Sequence, residues 1–110
     1  MDIHEIKSAL TRDAGKVVRH LLPHGKQVGR DWCVGSTSGE TGNSLKVCIS
    51  GAKAGVWADF AEGSAGDIID LWAKVKGITL TETIIQAKNY IGYVEPGFLS
   101  GKKKSYKIFG

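Results

Sequence analysis

The sequence predicts an α+β fold in which a small three-stranded antiparallel sheet is flanked by one N-terminal helix and two C-terminal helices. Three observations indicate this. Apolar residues recur at helical spacing before Pro23, alternate with other residues between Arg30 and Phe60, and return to helical spacing after Gly66. The chain of 110 residues is long enough for one hydrophobic core, and none of its apolar stretches has the length of a membrane span.

The N-terminal helix is predicted to begin at Asp2, because Glu5 follows three residues later as in a capping box. Gly15 is a point at which this segment could divide into two shorter helices, and Pro23 ends it. Its apolar stripe consists of Ile3, Ile6, Leu10, Val17, Leu21 and Leu22.

Three strands are predicted to follow as a meander. Trp32 and Val34 alternate with Asp31 and Cys33 in the first. In the second, one face carries Leu45, Val47 and Ile49 and the other carries Lys46, Cys48 and Ser50. The third spans residues 56–60 and reaches a glycine-rich turn.

The junction between this sheet and the next helix is predicted at Gly66 and Asp67. Glycine accepts backbone angles that other residues avoid, and Asp67 or Ser64 can cap the first helical turn. Ile68, Leu71 and Trp72 then share one helical face up to Gly77.

A last helix is predicted to begin at Thr79 or Thr81 and to end at Gly92. Residues 93–110 lose the apolar period and gain charge, with a run of three lysines at 102–104. The sequence therefore predicts one domain over residues 1–92 and a basic tail or interdomain linker over 93–110.

Charge and cysteine content narrow the function classes. The formal net charge is +4, with basic residues in excess towards both ends, which fits a polyanionic partner. Two cysteines are too few for a disulfide framework and lack the paired spacing of a structural zinc site. We therefore expect a cytoplasmic protein with reduced thiols and no membrane association.

An ordered series of short motifs resembles the N-terminal zinc-binding-type domain of DNA primases, and more closely that of phage and prophage primase/helicase proteins. The resemblance covers roughly residues 15–92. It rests on the segments at residues 22–25, 31–32, 39–40, 44–47, 55–60 and 66–71. The ordered series Gly39-Glu40, Ser44-Leu45, Trp57-Ala58-Asp59-Phe60 and Gly66-Asp67 is much more specific than any single segment.

The resemblance implies a zinc-ribbon-like fold, but the positions that hold zinc in those primases carry Gly35, Ser38, Asp59 and Glu62 here. Glycine cannot bind zinc, and two carboxylates without sulfur or imidazole ligands hold it poorly. We therefore expect a metal-free version of the fold without a cofactor. Its stability would come from aromatic packing between sheet and helices, by Trp32, Trp57, Phe60 and Trp72.

Two groups of side chains have a chemical alternative to a structural role. Asp59 and Glu62 could form a carboxylate pair for metal binding or acid–base catalysis, but we favour Asp59 as an acceptor of backbone N–H groups in a turn. Cys33 and Cys48 could form a disulfide or, with His20 and His24, a zinc site. We favour two small, half-buried side chains.

The loop at residues 35–42 resembles a phosphate-binding loop in composition. It lacks the Gly-Lys-Ser/Thr ending of that motif and joins two strands instead of opening a helix. A hairpin loop is therefore the favoured interpretation.

The candidate nucleic-acid-binding residues are the basic side chains on or beside the hairpin and two tryptophans that are either core residues or platforms for unpaired bases: Lys26, Arg30, Lys46, Lys53, Trp32 and Trp57.

The sequence shows no catalytic constellation. The first hypothesis, implied by the resemblance, is a template-recognition module of a phage-type primase/helicase that binds single-stranded DNA for a downstream catalytic domain. The alternative is a protein-interaction domain that docks primase to helicase or to other replication proteins.

Overall fold

The computed structural model describes residues 2–92, in which four helices and a five-stranded antiparallel sheet share one hydrophobic core. The helices are α1 (Ile3–Arg12), α2 (Ala14–Leu21), α3 (Ile68–Lys76) and α4 (Leu80–Ile91). The strands are β1 (Lys26–Val28), β2 (Asp31–Val34), β3 (Leu45–Cys48), β4 (Trp57–Asp59) and β5 (Ser64–Gly66). The basic tail expected at 93–110 lies outside the described residues.

The predicted three-stranded, zinc-ribbon-like sheet with one N-terminal helix is wrong, because the sheet has five strands and the N-terminal segment forms two helices. The strand order is β1-β2-β3-β4-β5, a continuous meander. The three central strands coincide with the predicted ones. Both edge strands were missed, since neither contains the alternation of buried and exposed residues that identifies a strand.

The N-terminal segment divides at Asp13, not at Gly15, which lies inside α2. Asp2 and Glu5 form the expected capping box, with the Glu5 N–H donating to Asp2 Oδ1 at 2.9 Å and the Asp2 N–H donating to Glu5 Oε1 at 3.0 Å. The cap of α2 at Asp13 lacks a side-chain hydrogen bond.

Asp67 caps α3 as the sequence predicts. Its Oδ1 accepts hydrogen bonds from the N–H groups of Ile69 and Asp70, both at 3.0 Å, and Asp70 Oδ2 accepts one from the Asp67 N–H at 3.1 Å. Oδ2 of Asp67 also lies 3.2 Å from the Lys7 ammonium on α1. Burial by itself raises the pKa of the Asp67 carboxyl. The hydrogen bond from the Asp70 N–H and the charge of the Lys7 ammonium together lower this pKa by more than burial raises it, so it lies below its ordinary value.

The hydrophobic core lies between the helices and one face of the sheet. Side chains from all four helices and from the central strands form one cluster there, to which the sheet contributes Trp32, Val34, Leu45, Val47 and Trp57. Thr79 caps α4 and Gly92 ends it with a left-handed backbone, as predicted. Among the helices between residues 2 and 92, none has both the length and the apolar character needed to span a bilayer.

Candidate nucleic-acid interface

Strand register separates the sheet into a core face and an open face. Trp32, Val47 and Trp57 lie side by side across β2, β3 and β4 and face the helices. Neighbouring residues of each strand point the opposite way. The strand residues of the opposite side, which we call the open face, are Lys26, Val28, Asp31, Cys33, Lys46, Cys48, Ala58 and Ala65.

Two of the predicted basic residues lie together on the open face. Lys26 of β1 and Lys46 of β3 are both paired with Cys33 of β2, so the two lysines stand on either side of one buried thiol. Neighbouring strands are about 4.8 Å apart, which places their Cα atoms about 10 Å from one another. Both lysines are exposed and able to contact phosphates. Asp31 is the carboxylate among the strand residues of this face.

The other two predicted cations lie at one end of the sheet. Arg30 is in the turn between β1 and β2, and its carbonyl oxygen accepts a hydrogen bond from Ile49 N–H at 2.8 Å. Its guanidinium reaches the loop between β3 and β4, where a Cβ on Gly51 would lie 3.1 Å from Arg30 Nη1. Lys53 is exposed in that same loop. The four predicted cations therefore occupy the open face and the end beside it.

Trp32 is held in the core, one of the two alternatives that the sequence leaves for this residue. Its indole nitrogen donates to the Leu22 carbonyl oxygen at 2.8 Å, and the Arg19 guanidinium carbon lies 5.2 Å from the ring centroid. Gly25 passes so close that a Cβ there would lie 2.0 Å from Trp32 Nε1. These contacts surround the indole and do not favour base stacking on it.

Trp57 is also a core residue, with 1% of its surface exposed. Its indole nitrogen donates to the Asp67 carbonyl oxygen at 2.8 Å, and the Lys74 ammonium lies 5.9 Å from the ring centroid. Neither tryptophan therefore offers the partly open ring that the stacking role requires.

Among the Trp, Tyr and Phe residues between positions 2 and 92, the exposed one is Phe60, which the sequence interpretation placed in the core. Its side chain is 70% exposed. Phe60 follows β4, and its N–H donates to the Ser44 carbonyl oxygen at 2.7 Å, so the pairing with β3 continues one residue beyond the strand. Alternation places Phe60 on the same side as Ala58 and Lys46. Phe60 lies three residues after buried Trp57, so strand alternation puts it on the opposite side of β4 and would have identified this position.

Asp59 accepts backbone N–H groups in a turn, which is the interpretation that the sequence analysis favoured over a carboxylate pair with Glu62. Asp59 is buried, and its Oδ1 accepts hydrogen bonds from the N–H groups of Ala61 at 3.0 Å and Glu62 at 3.2 Å. Glu62 is exposed and accepts a hydrogen bond from the Ser64 hydroxyl at 3.4 Å. The Asp59 carboxylate is thus used to hold the turn between β4 and β5.

Both cysteines are free thiols, and they lie diagonally across the β2–β3 pair. His20 is elsewhere, with its ring centroid 4.9 Å from that of Tyr90 and 6.2 Å from that of Trp72. Residues 2–92 contain no group of three or more His, Cys, Asp or Glu side chains arranged to hold a metal ion.

The loop at residues 35–42 closes the hairpin between β2 and β3, as expected. Its ends are joined by a hydrogen bond from the Gly35 N–H to the Glu40 carbonyl oxygen at 2.7 Å, and Ser36 Oγ donates to Glu40 Oε1 at 2.8 Å. A Cβ on Gly42 would lie 2.7 Å from the Gly35 Cα, so this close crossing requires glycine.

Comparisons of the chain with protein-family models, with curated proteins and with solved structures gave no match.

Proposed function

We propose that this chain is a single-stranded DNA-binding, template-recognition module of a phage-type primase/helicase, acting in the cytoplasm for a catalytic domain in a longer parent protein. The observation that carries the DNA-binding part is the pair of exposed lysines on the open face, Lys26 and Lys46, in register on either side of Cys33. The primase-like segments of the sequence supply the biological context.

Electrostatic attraction supports this proposal. Lys26 and Lys46 provide two ammonium groups on the open face, and Arg30 and Lys53 add two cations at its end. Such groups neutralise phosphates without reading base identity. We expect weak binding with little sequence preference, because the described interface contains few cations and Asp31 partly offsets them.

A binding role is favoured over catalysis by what the acidic residues do. Asp59 is committed to two backbone N–H groups, and Asp67 and Asp70 cap α3. These carboxylates stabilise turns and helix ends. Any enzymatic step of the parent protein would belong to another domain.

The protein-interaction alternative is favoured by a different observation. Val28, Val56 and Phe60 are each about half or more exposed on or beside the open face. A partner protein with an apolar and acidic surface would cover them, docking the module to a helicase or to a primase catalytic domain. This interaction would not require contact with DNA.

Fluorescence anisotropy of a labelled oligothymidylate separates the two functions. Three phosphate contacts give a log–log salt slope of about −2, because each contact on single strands contributes about −0.7. Lys46→Ala and Lys26→Ala are each expected to weaken binding and to reduce the steepness of the slope by somewhat less than one. The matched control is Lys16→Ala, since Lys16 is exposed on α2, away from the open face.

Binding that is absent at low salt, or equally affected by Lys16→Ala and Lys46→Ala, would contradict the DNA-binding proposal and favour the protein-interaction function.

A further inference from the structure

Phe60 differs from the other large aromatic residues of the described chain. Its side chain is 70% exposed, whereas Trp32, Trp57 and Trp72 are 9%, 1% and 2% exposed. Burying a phenylalanine ordinarily favours folding. The exposed Phe60 ring therefore contributes little to the stability of the fold and is available to a ligand.

The backbone around Phe60 is fixed by hydrogen bonds. The Phe60 N–H donates to Ser44, and the Gly63 N–H donates to the Asp59 carbonyl oxygen at 2.8 Å. Buried Asp59 holds the next two N–H groups through its carboxylate. The ring thus projects from a rigid turn, so a ligand that contacts it does not have to order the backbone first.

The surroundings of Phe60 combine apolar and cationic groups. Ala58 and half-exposed Val56 lie along the same side of β4, and Lys46 pairs with Ala58 across the strands. Phe60, two residues beyond Ala58, is the diagonal neighbour of Lys46. Diagonal neighbours lie about 7–8 Å apart, so Lys46 is within reach of a ligand on the Phe60 ring. An aromatic face next to an ammonium group matches one nucleotide, whose base stacks and whose phosphate pairs with the cation.

Charge complementarity identifies the occupant. A second copy of this chain docked face to face would bring Lys26 and Lys46 against like charges, which is unfavourable. A single strand of DNA supplies phosphates for the lysines and an unpaired base for the ring. In duplex DNA the bases are stacked on one another and cannot cover Phe60.

We infer that Phe60 is a base-stacking residue that makes the open face prefer single-stranded over duplex DNA. This inference rests on the proposed DNA-binding function and adds the residue that selects the unpaired strand. Glu62 is exposed two residues further along the turn. Its negative charge repels the phosphates of a DNA strand whose base stacks on Phe60.

The test compares three probes of equal length: a labelled oligothymidylate, the same backbone with abasic sites, and a duplex. Phe60→Ala and Phe60→Leu are both expected to weaken oligothymidylate binding about tenfold, which is within the range measured for base–aromatic stacking. Their salt slope and their affinity for the abasic strand and the duplex should stay at wild-type values. Glu62→Gln should tighten binding of all single strands about twofold.

Lys46→Ala separates this inference from the function on which it rests, because it should weaken all three probes and flatten the salt slope. Wild-type affinity of Phe60→Ala together with weakened Lys46→Ala overturns the stacking role and leaves DNA binding in place. Retained affinity in Phe60→Leu also overturns it, because leucine is apolar but has no ring. Absence of salt-dependent binding by the wild-type chain overturns both and favours a protein partner. Since Phe60 is exposed, Phe60→Ala and Phe60→Leu are both expected to fold, and their circular dichroism spectra and urea midpoints check this.

Discussion

The indole nitrogen of Trp57 donates a hydrogen bond to the carbonyl oxygen of Asp67, which also accepts the Leu71 N–H at 3.0 Å within α3. The central sheet and the start of α3 are therefore joined at one atom. Because Asp67 is also paired with Lys7 of α1, this residue connects three elements of the fold.

Trp57→Phe is expected to lower the free energy of unfolding by about 2 kcal/mol, because it removes a buried hydrogen bond and leaves unfilled volume in the core. Urea denaturation measures this change. Val56→Ala, at the exposed neighbouring position, is the control and should change stability by less than about 0.5 kcal/mol. In the folded state, Trp57→Phe should bind DNA as the wild type does. Loss of binding without loss of stability would restore the stacking role of Trp57.

Gly66→Ala is expected to destabilise the domain by about 1–2 kcal/mol, a typical cost of overpacking and of a lost cap. The reason is close approach and not a left-handed backbone: a Cβ at position 66 would lie 2.6 Å from Asp70 Oδ2 and 2.9 Å from Asp70 Cβ. The Asp70 side chain would have to leave the Asp67 N–H.

A double-mutant cycle with Asp70→Ala checks this cause through urea denaturation. In the Asp70→Ala background the cost of Gly66→Ala should fall, since the carboxylate is gone, but not vanish, since a Cβ remains at position 70. Strictly additive costs would show that Gly66 and Asp70 do not interact.

The starts of α1, α3 and α4 and the central strands could be predicted from sequence because their signals are local. Capping boxes at Asp2, Asp67 and Thr79 and the alternation around Val47 each depend on residues within one element. The edge strands could not be predicted in this way. β5 consists of Ser64, Ala65 and Gly66, and it is a strand because it pairs with β4, a partner that its own composition does not reveal.

The position of the basic residues in the candidate interface could be predicted from sequence, but the exposure of its aromatic residues could not. The lysines at 26 and 46 were expected beside the hairpin, and strand parity places them on one face. The aromatic component was assigned by residue type, which favoured the tryptophans. Burial depends on which side of β4 faces the helices. Trp57 lies on that side and is buried, whereas Phe60 lies on the opposite side and is exposed.

The stability of α3 is expected to depend on acid pH through Asp67. Its folded-state pKa lies below the ordinary value of about 3.9, so its carboxylate stabilises the fold above that pH and loses this contribution as the pH falls through the folded-state pKa. Asp67→Asn keeps an N-cap acceptor but removes the charge facing Lys7. Wild type should therefore be more stable than Asp67→Asn at pH 7, and the difference should shrink below about pH 4. Urea midpoints at pH 7, 4.5 and 3 measure it, and a constant difference would contradict the assignment.

The same substitution, glycine to alanine, is expected to have opposite effects at two positions near the N-terminus. Gly15 lies inside α2, where an added Cβ meets only the end of the flexible Arg19 side chain at 3.4 Å, so Gly15→Ala should stabilise the domain by about 0.5–1 kcal/mol. At Gly25 an added Cβ would lie 2.0 Å from Trp32 Nε1, so Gly25→Ala must displace the indole from the Leu22 carbonyl oxygen. We expect a loss of about 3 kcal/mol or more, the upper end of overpacking costs.

Urea denaturation gives both signs, and near-ultraviolet circular dichroism reports the displaced indole in Gly25→Ala. A destabilising Gly15→Ala would show that the helix breaks at Gly15, as the sequence alone allowed. An unchanged Gly25→Ala would show that Trp32 is not packed against this turn, and would reopen its ring to a base.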